Sequence, residues 1–322
     1  MTRLVFLALG SSLLVVGSVS ALPAQAPGSY AHVSSIDSSI GGKGLRSFAF
    51  DAKANRLYAA SRLGLYWVNV ADAKPIWKGP MFKMDITHIE FAPELGRVFF
   101  TSIDGVGYVS VDSLGEPKMI SKILAYDMAY EPTRREVYVT SRAPRVNVYD
   151  GATGESGAVI DLPGWYGGGL EAIPGRVFLM QAKTAGLFSI DAKTHAFAPF
   201  KTSEKITTPV YLEADPAGRY LFAAYYQNIV AIDPATGKIL GRVRFPTTPW
   251  IAFDPATNLL LATWKDDPTP IRLAAFRMTA TGLSKASELE NPPAGEDGVE
   301  PTSRGFIQHG VNRLYIWSTS RE

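Results

Sequence analysis

The chain has 322 residues, of which 46% are hydrophobic and 19% are charged, and this composition excludes a disordered or fibrous protein. Its formal net charge of +2 is too small to indicate a nucleic-acid partner or binding to a membrane surface. The chain has 0 cysteines, so its fold must be stable through packing alone, without disulfides.

The first 26 residues are typical of a secretory signal peptide. Arg3 supplies a positive charge, an apolar stretch LVFLALGSSLLVVGSV follows it, and Ala24-Gln25-Ala26 has the small-x-small cleavage pattern. The alternative is a retained membrane anchor, although the apolar stretch is shorter than the ~20 residues of a membrane-spanning helix. We expect residues 1–26 to be removed, residues 27–322 to form one domain without a membrane span, and the protein to be periplasmic or secreted.

The mature chain repeats a pattern of about 40 residues. Clear copies are DAKANRLYAASRLGLYWVNVADAK from Asp51, EPTRREVYVTSRAPRVNVYDGATGE from Glu131 and DPAGRYLFAAYYQNIVAIDPATGK from Asp215. Apolar residues alternate with period two in each copy, and the turns are rich in Asp, Pro and Gly. The equivalent position before the second strand of each copy is occupied by Arg56, Arg97, Glu136, Arg176, Arg219, Asn258 and Arg313.

These repeats predict an all-β fold, a seven-bladed β-propeller of four-stranded blades. The ring must close, and the C-terminal strands are too few to complete a blade. We therefore expect the N-terminal segment YAHVSSID, from Tyr30, to pair with the last blade, which should remain short. The aspartates of the turns, such as Asp150 and Asp233, are expected to accept backbone N–H groups rather than to bind calcium.

The segments NRLYAAS, REVYVTS and RYLFAAYYQNIVAIDPATGK resemble the YVTN family of β-propeller repeats, which is similar to the lactonase-like and gluconolactonase-like propellers. The resemblance spans nearly all of the mature chain. It implies a propeller architecture and a binding or interaction module. Gluconolactonase-like propellers hold a divalent metal on the axis, but this chain lacks their full sequence pattern, so the resemblance assigns no metal ligand here.

The innermost strands of the repeats align their carboxylates at one level. The third position of these strands holds Glu90, Glu171 and Glu213, and the first position holds His88 and Asp127. Alternation along a strand predicts that the first and third positions face the central channel. Three interpretations stay open: a Ca²⁺, Mg²⁺ or Mn²⁺ site formed by these five residues, glutamates solvated or paired with Arg46 and Arg304 with no cofactor, or carboxyl groups that share protons.

A ligand site is predicted at one end of the ring, where first strands begin and second strands end. The predicted ligand-binding residues are Arg62, Arg142, Trp165, Tyr166, Tyr211 and Trp250. A glycine run and the long stretch 291–305, a candidate lid, lie at the same end. An anionic or carbonyl-bearing molecule would suit this combination, while the alternative is that the basic residues are ordinary solvated loop ends.

Two function classes follow from the sequence. The first is a monomeric, non-catalytic propeller that binds a small molecule or a protein partner. The second is a metal-assisted hydrolase of the lactonase type, in which one glutamate acts as the base and the metal polarises a carbonyl. There is no Gly-x-Ser-x-Gly motif and no histidine pair with metal-binding spacing, so the sequence does not decide whether the protein is an enzyme.

Overall fold

The computed structural model describes residues 30–37, 45–51, 53–70, 72, 76–164, 169–181, 186–206, 209–254, 257–266, 269–289, 299–302, 305–309 and 313–319. The secondary structure of these residues is β-strand and turn. They contain no helix with the length and hydrophobicity needed to cross a membrane.

The strands are short and follow one another in antiparallel hairpins. In chain order they are β1 (Tyr30–Asp37), β2 (Ser47–Asp51), β3 (Arg56–Ser61), β4 (Gly64–Asn69), β5 (Ile86–Ala92), β6 (Arg97–Ser102), β7 (Gly105–Ser110), β8 (Lys118–Ser121), β9 (Ala125–Glu131), β10 (Glu136–Ser141), β11 (Arg145–Asp150), β12 (Ser156–Asp161), β13 (Leu170–Ile173), β14 (Arg176–Gln181), β15 (Gly186–Asp191), β16 (Phe197–Pro199), β17 (Pro209–Ala214), β18 (Leu221–Tyr225), β19 (Asn228–Ile232), β20 (Ile239–Arg244), β21 (Trp250–Asp254), β22 (Leu259–Asp266), β23 (Thr269–Thr279), β24 (Gly282–Leu289), β25 (Val299–Thr302), β26 (Gly305–His309) and β27 (Arg313–Thr319).

The sheets are arranged as the blades of a β-propeller. The sheets are β2-β3-β4, β5-β6-β7-β8, β9-β10-β11-β12, β13-β14-β15-β16, β17-β18-β19-β20, β21-β22-β23-β24 and β25-β26-β27-β1. The first strand of each sheet contacts the first strand of the next, and β25 contacts β2. The N-terminal strand β1 pairs antiparallel with β27, from Tyr30 opposite Thr319 to Asp37 opposite Arg313, so the two ends of the chain join in one sheet.

The prediction of seven four-stranded blades is wrong, because the structure has six four-stranded sheets and one sheet, β2-β3-β4, with three strands. Among the described residues after β4, strand pairing is limited to an isolated bridge between Trp67 and Lys78. Pro80, two residues later, has no N–H group and cannot extend that bridge into a ladder.

The last sheet was expected to be short, and this expectation is also wrong. Val299–Thr302, within the stretch predicted to be a lid, forms β25 and pairs with β26. Gly305–His309 is therefore the second strand of that sheet rather than its innermost strand.

The core lies between neighbouring sheets, and this position corrects the predicted orientation of the inner strands. In the alignment of the inner strands, Ala49 of β2 has the third position and packs with Ile89 of β5, which has the second position. Ala129 of β9 packs in the same way with Leu170 of β13. Because each sheet stands with its edge toward the axis, first and third positions face the following blade, and second positions face the preceding one.

The repeated aspartates are structural, as predicted. Asp150 Oδ1 accepts the N–H groups of Ala152 at 2.9 Å and Thr153 at 2.6 Å, and Asp233 Oδ1 does the same for Ala235 and Thr236. Gly154 then closes its turn with a φ of 79°, a conformation that glycine adopts without steric cost.

Candidate functional site

Four carboxyl groups meet near the axis, on the innermost strands of successive blades. Glu90 lies on β5, Asp127 on β9, Glu171 on β13 and Glu213 on β17. The third position of the other aligned inner strands is a buried alanine, at Ala49, Ala129 and Ala252. The three glutamates differ from these alanines in being only partly buried.

Burial and mutual repulsion shift the glutamates strongly toward the protonated form. Burial raises the pKa of Glu90 to about 8, with added repulsion from Asp127 and Glu213. Burial also raises the pKa of Glu213 to about 8, against the opposing effect of a hydrogen bond from the Phe253 backbone. The pKa of Glu171 lies well above its usual range because of burial and then of repulsion from Glu213, Glu90 and Asp127. These shifts favour the interpretation that the carboxyl groups carry protons at neutral pH.

Asp127 links two blades. Its Oδ1 accepts the N–H of Met128, and its Oδ2 accepts the N–H of Leu170 in the next blade, both at 2.9 Å. His88 lies beside it, with 3.4 Å between His88 Nδ1 and Asp127 Oδ1. Burial still raises the pKa of Asp127 despite these partners. Asp127 therefore joins two neighbouring blades by hydrogen bonds, which its position in the sequence did not reveal.

The five predicted metal ligands form no ligand group in the structure. In the part of the chain that the structure describes, no three His, Asp or Glu side chains are placed to hold one metal ion. Arg46, the expected partner of the glutamates, instead pairs with Asp85 at 2.7 Å, and Arg304 lies outside the described residues.

The predicted ligand-binding residues are placed in different surroundings. Tyr211 and Trp250 are neighbours, with ring centroids 4.6 Å apart. Both are only partly exposed, and Tyr211 packs against the core. Arg62 and Arg142 are exposed on two different hairpins, β3–β4 and β10–β11. Trp165 and Tyr166 lie outside the described residues.

Exposed apolar side chains, which the sequence analysis missed, gather at this same end of the ring. Leu63, Ile103 and Tyr226 are 49%, 60% and 58% exposed and occupy the tips of the β3–β4, β6–β7 and β18–β19 hairpins. Exposed residues also stand where β9 and β17 begin, namely Leu124, Tyr126 and Val210. We call these six residues the apolar tip surface. Among the described residues only three other large hydrophobic side chains are exposed: Ile76, Met119 and Val159.

Two of these hairpin tips, β3–β4 and β6–β7, are stabilised by hydrogen bonds of a repeated Ser-x-x-Gly sequence. Ser61 Oγ accepts the N–H of Leu63 at 3.0 Å and donates to the carbonyl of Gly64 at 3.2 Å. Ser102 Oγ makes the same two bonds, with Asp104 and Gly105. This short motif, SRLG and SIDG, is the signal in the sequence that could have identified the tips.

The glycines of this motif hold each tip against the following segment. Gly64 and Gly105 both have a φ of 138°. A Cβ atom at Gly64 would lie 1.9 Å from the carbonyl oxygen of Phe82, and one at Gly105 would lie 1.9 Å from that of Ser121. The tips are therefore rigid supports for the side chains they expose.

No protein-family model and no curated protein matches the sequence. Solved structures do match the fold. A chain in "Crystal Structure of Mitotic Checkpoint Complex" has a TM-score of 0.72 and 12% identity, covering 99% of both chains. "Structure of U3-55K" has a TM-score of 0.69 and 9% identity, covering 88% of this chain and 98% of that one. "Crystal structure of RRP9 WD40 repeats" also gives 0.69 and 9%, covering 91% and 100%.

At such identities the similarity extends to the fold alone. The chain is a β-propeller similar to WD40-repeat structures, and these comparisons do not confirm the YVTN or lactonase-like family.

Proposed function

We propose that this chain is an exported propeller of the YVTN type that binds a protein partner through the apolar tip surface. The observation that carries the proposal is the placement of exposed apolar side chains. Six of the nine among the described residues lie at the end of the ring where first strands begin and second strands end.

Burial of these side chains would favour association. A single exposed apolar residue is ordinary, but a group of them on one face is typical of an interaction site. Burying a side chain such as Leu63 or Ile103 completely contributes roughly 1.5–3 kcal/mol. Because the serine and glycine contacts already fix these tips, little conformational entropy is lost on binding.

The predicted basic and aromatic residues complete the proposed interface. Exposed Arg62 and Arg142 would form a polar rim, since such rims commonly surround an apolar centre. Trp165 and Tyr166 precede β13 and are proposed as further contacts. Tyr211 and Trp250 would contribute their partly exposed edges.

A small pocket beside Leu63 gives this surface a concave feature. It has a volume of about 440 Å³ and includes Arg62, Tyr66, Pro80 and Met84 in its walls. Apolar anchors that enter such pockets often dominate binding energy. One structural neighbour is a chain of a mitotic checkpoint complex, which supports the use of this fold in assemblies.

Changing Ile103 to Ser should weaken partner binding at least about tenfold, because an exposed apolar contact near 1.4 kcal/mol or more would be lost. Partners captured from an extract by the wild-type protein would be identified by mass spectrometry, then purified and titrated by calorimetry. Thermal unfolding should change little, because Ile103 is exposed.

Val159→Ser is the matched control, because Val159 is also an exposed apolar residue but lies on the outer strand β12. Its affinity for the partner should equal that of the wild type. Equal affinity of all three proteins would refute the proposed surface.

Export is tested separately. Because the chain begins with the features of a signal peptide, the mature protein should start near residue 27 and be found outside the cytoplasm. Intact mass measurement of protein from its native cells checks this. A mass that includes residues 1–26 would contradict cleavage.

A further inference from the structure

We propose that a second cavity binds a small organic anion, namely a carboxylate or phosphate attached to a planar ring. The cavity lies in the sheet formed by β17 to β20, at the end where the β18–β19 hairpin turns. This proposal does not depend on the protein partner. The cavity has a volume of about 750 Å³, which is in the range of small-molecule sites. Its walls include Tyr226, Asn228, Arg242, Arg244, Thr247 and Thr248.

The charge of the cavity comes from two arginines on one face of β20. Arg242 and Arg244 are two residues apart, so their side chains leave the strand on the same side. Arg242 forms a salt bridge with Glu204. Arg244 lies opposite Asn228 in the strand register, and within the described residues it has no salt bridge or side-chain hydrogen bond. One guanidinium is thus neutralised, and the other is available to a ligand.

The remaining polar groups suit the oxygens of an anion. Thr247 and Thr248 place two hydroxyl-bearing side chains in the same wall, and Asn228 adds an amide. A guanidinium presents its N–H donors in a planar fork that matches a carboxylate or phosphate, and such charge-assisted bonds are stronger than neutral ones. Glu204 is an acidic neighbour, but its carboxylate is already occupied by Arg242.

The cavity is held in shape without a ligand. Gln227 Nε2 donates to the carbonyl of Pro246 at 2.5 Å, and the Gln227 carbonyl accepts the N–H of Phe245 at 2.6 Å. Phe245 is buried, with its ring centroid 5.0 Å from that of Trp264. These contacts join the β18–β19 hairpin to the segment after β20, so a ligand would enter a largely preformed site.

Tyr226 is the reason for proposing a planar ring in the ligand. It is 58% exposed at the tip of its hairpin, with a φ of 48°. An exposed phenol ring at the edge of a basic cavity offers a surface on which a flat ring can stack. An anion with an attached ring would therefore contact both Arg244 and Tyr226.

The test is titration of the full mature protein with benzoate and with phenyl phosphate, followed by NMR or calorimetry. At least one of these anions should bind at submillimolar concentration, and added NaCl should weaken the binding. Comparison of the two distinguishes carboxylate from phosphate. Neutral benzyl alcohol should not bind at these concentrations.

Arg244→Gln should weaken the binding at least about tenfold, as expected for loss of a charge-assisted contact. Arg145→Gln is the matched control, since Arg145 is an exposed arginine at the same end of a different blade. It should leave the affinity unchanged. Failure of both anions to bind, or equal weakening by the two substitutions, would overturn the proposal.

Discussion

Changing Glu171 to Gln is expected to raise the free energy of unfolding at about pH 9 and to change it little at about pH 5, because burial and repulsion from Glu213, Glu90 and Asp127 raise the pKa of Glu171. Each unit by which folding raises a pKa corresponds to about 1.4 kcal/mol. Glutamine resembles the protonated acid in shape and charge, so it removes the cost of ionising this partly buried group. Urea unfolding at both pH values measures the difference.

The sign of this pH dependence of the free energy of unfolding follows from proton binding. Burial raises the folded-state pKa of Glu90 and Glu213 from 4.5 to about 8, and that of Glu171 in the same direction. Between these values the folded state binds more protons than the unfolded state, so stability decreases as pH rises. The stabilising effect is complete below the unfolded pKa of 4.5 and is lost as pH rises through about 8.

Glu116→Gln provides the control, because Glu116 is an exposed residue outside the carboxyl group cluster. It should show no such difference between the two pH values. If Glu171→Gln instead destabilises the protein at high pH, and a chelator lowers the stability of the wild type, a bound cation rather than protons would neutralise the cluster.

Deleting residues 27–37 is expected to abolish the stable monomer. The deletion removes β1, which pairs with β27 along its length, and exposes the edge of β27. An unpaired edge strand offers free N–H and C=O groups to other molecules and promotes aggregation. Light scattering and urea unfolding should show a large loss of stability together with association.

A shorter deletion, of residues 27–29, ends before β1 and should leave both properties unchanged. A soluble monomer of wild-type stability after the longer deletion would show that β1 does not close the ring in solution.

The repeat architecture could be predicted because its causes are local. Alternating apolar residues define the strands, and turn residues such as Asp150 and Gly154 define the hairpins. Strand β25 could not be found in this way. Its sequence, Val-Glu-Pro-Thr, has little apolar character and contains a proline, and it is a strand because it pairs with β26 and meets β2 and β21.

The candidate site was only partly predictable for a related reason. Repeated strand register placed Glu90, Glu171 and Glu213 at one level, and their mutual pKa effects agree with their proximity. Alternation along a strand does not tell which neighbour each face meets, so the sequence did not reveal the hydrogen bond from the Leu170 N–H to Asp127. Exposed residues such as Ile103 give no signal in composition, because exposure depends on the folded surface.

The joining of both chain ends in one sheet also sets the order of folding. Tyr30 and Thr319 are paired, although almost the whole chain separates them. Contacts between such distant residues form slowly, because the entropy cost of closing a long loop comes before the contacts stabilise the fold. During synthesis, β1 must wait until the last strand emerges, and until then the chain has no complete ring. Closure of the ring is therefore a late event, and the edge of β27 is unpaired until β1 joins it.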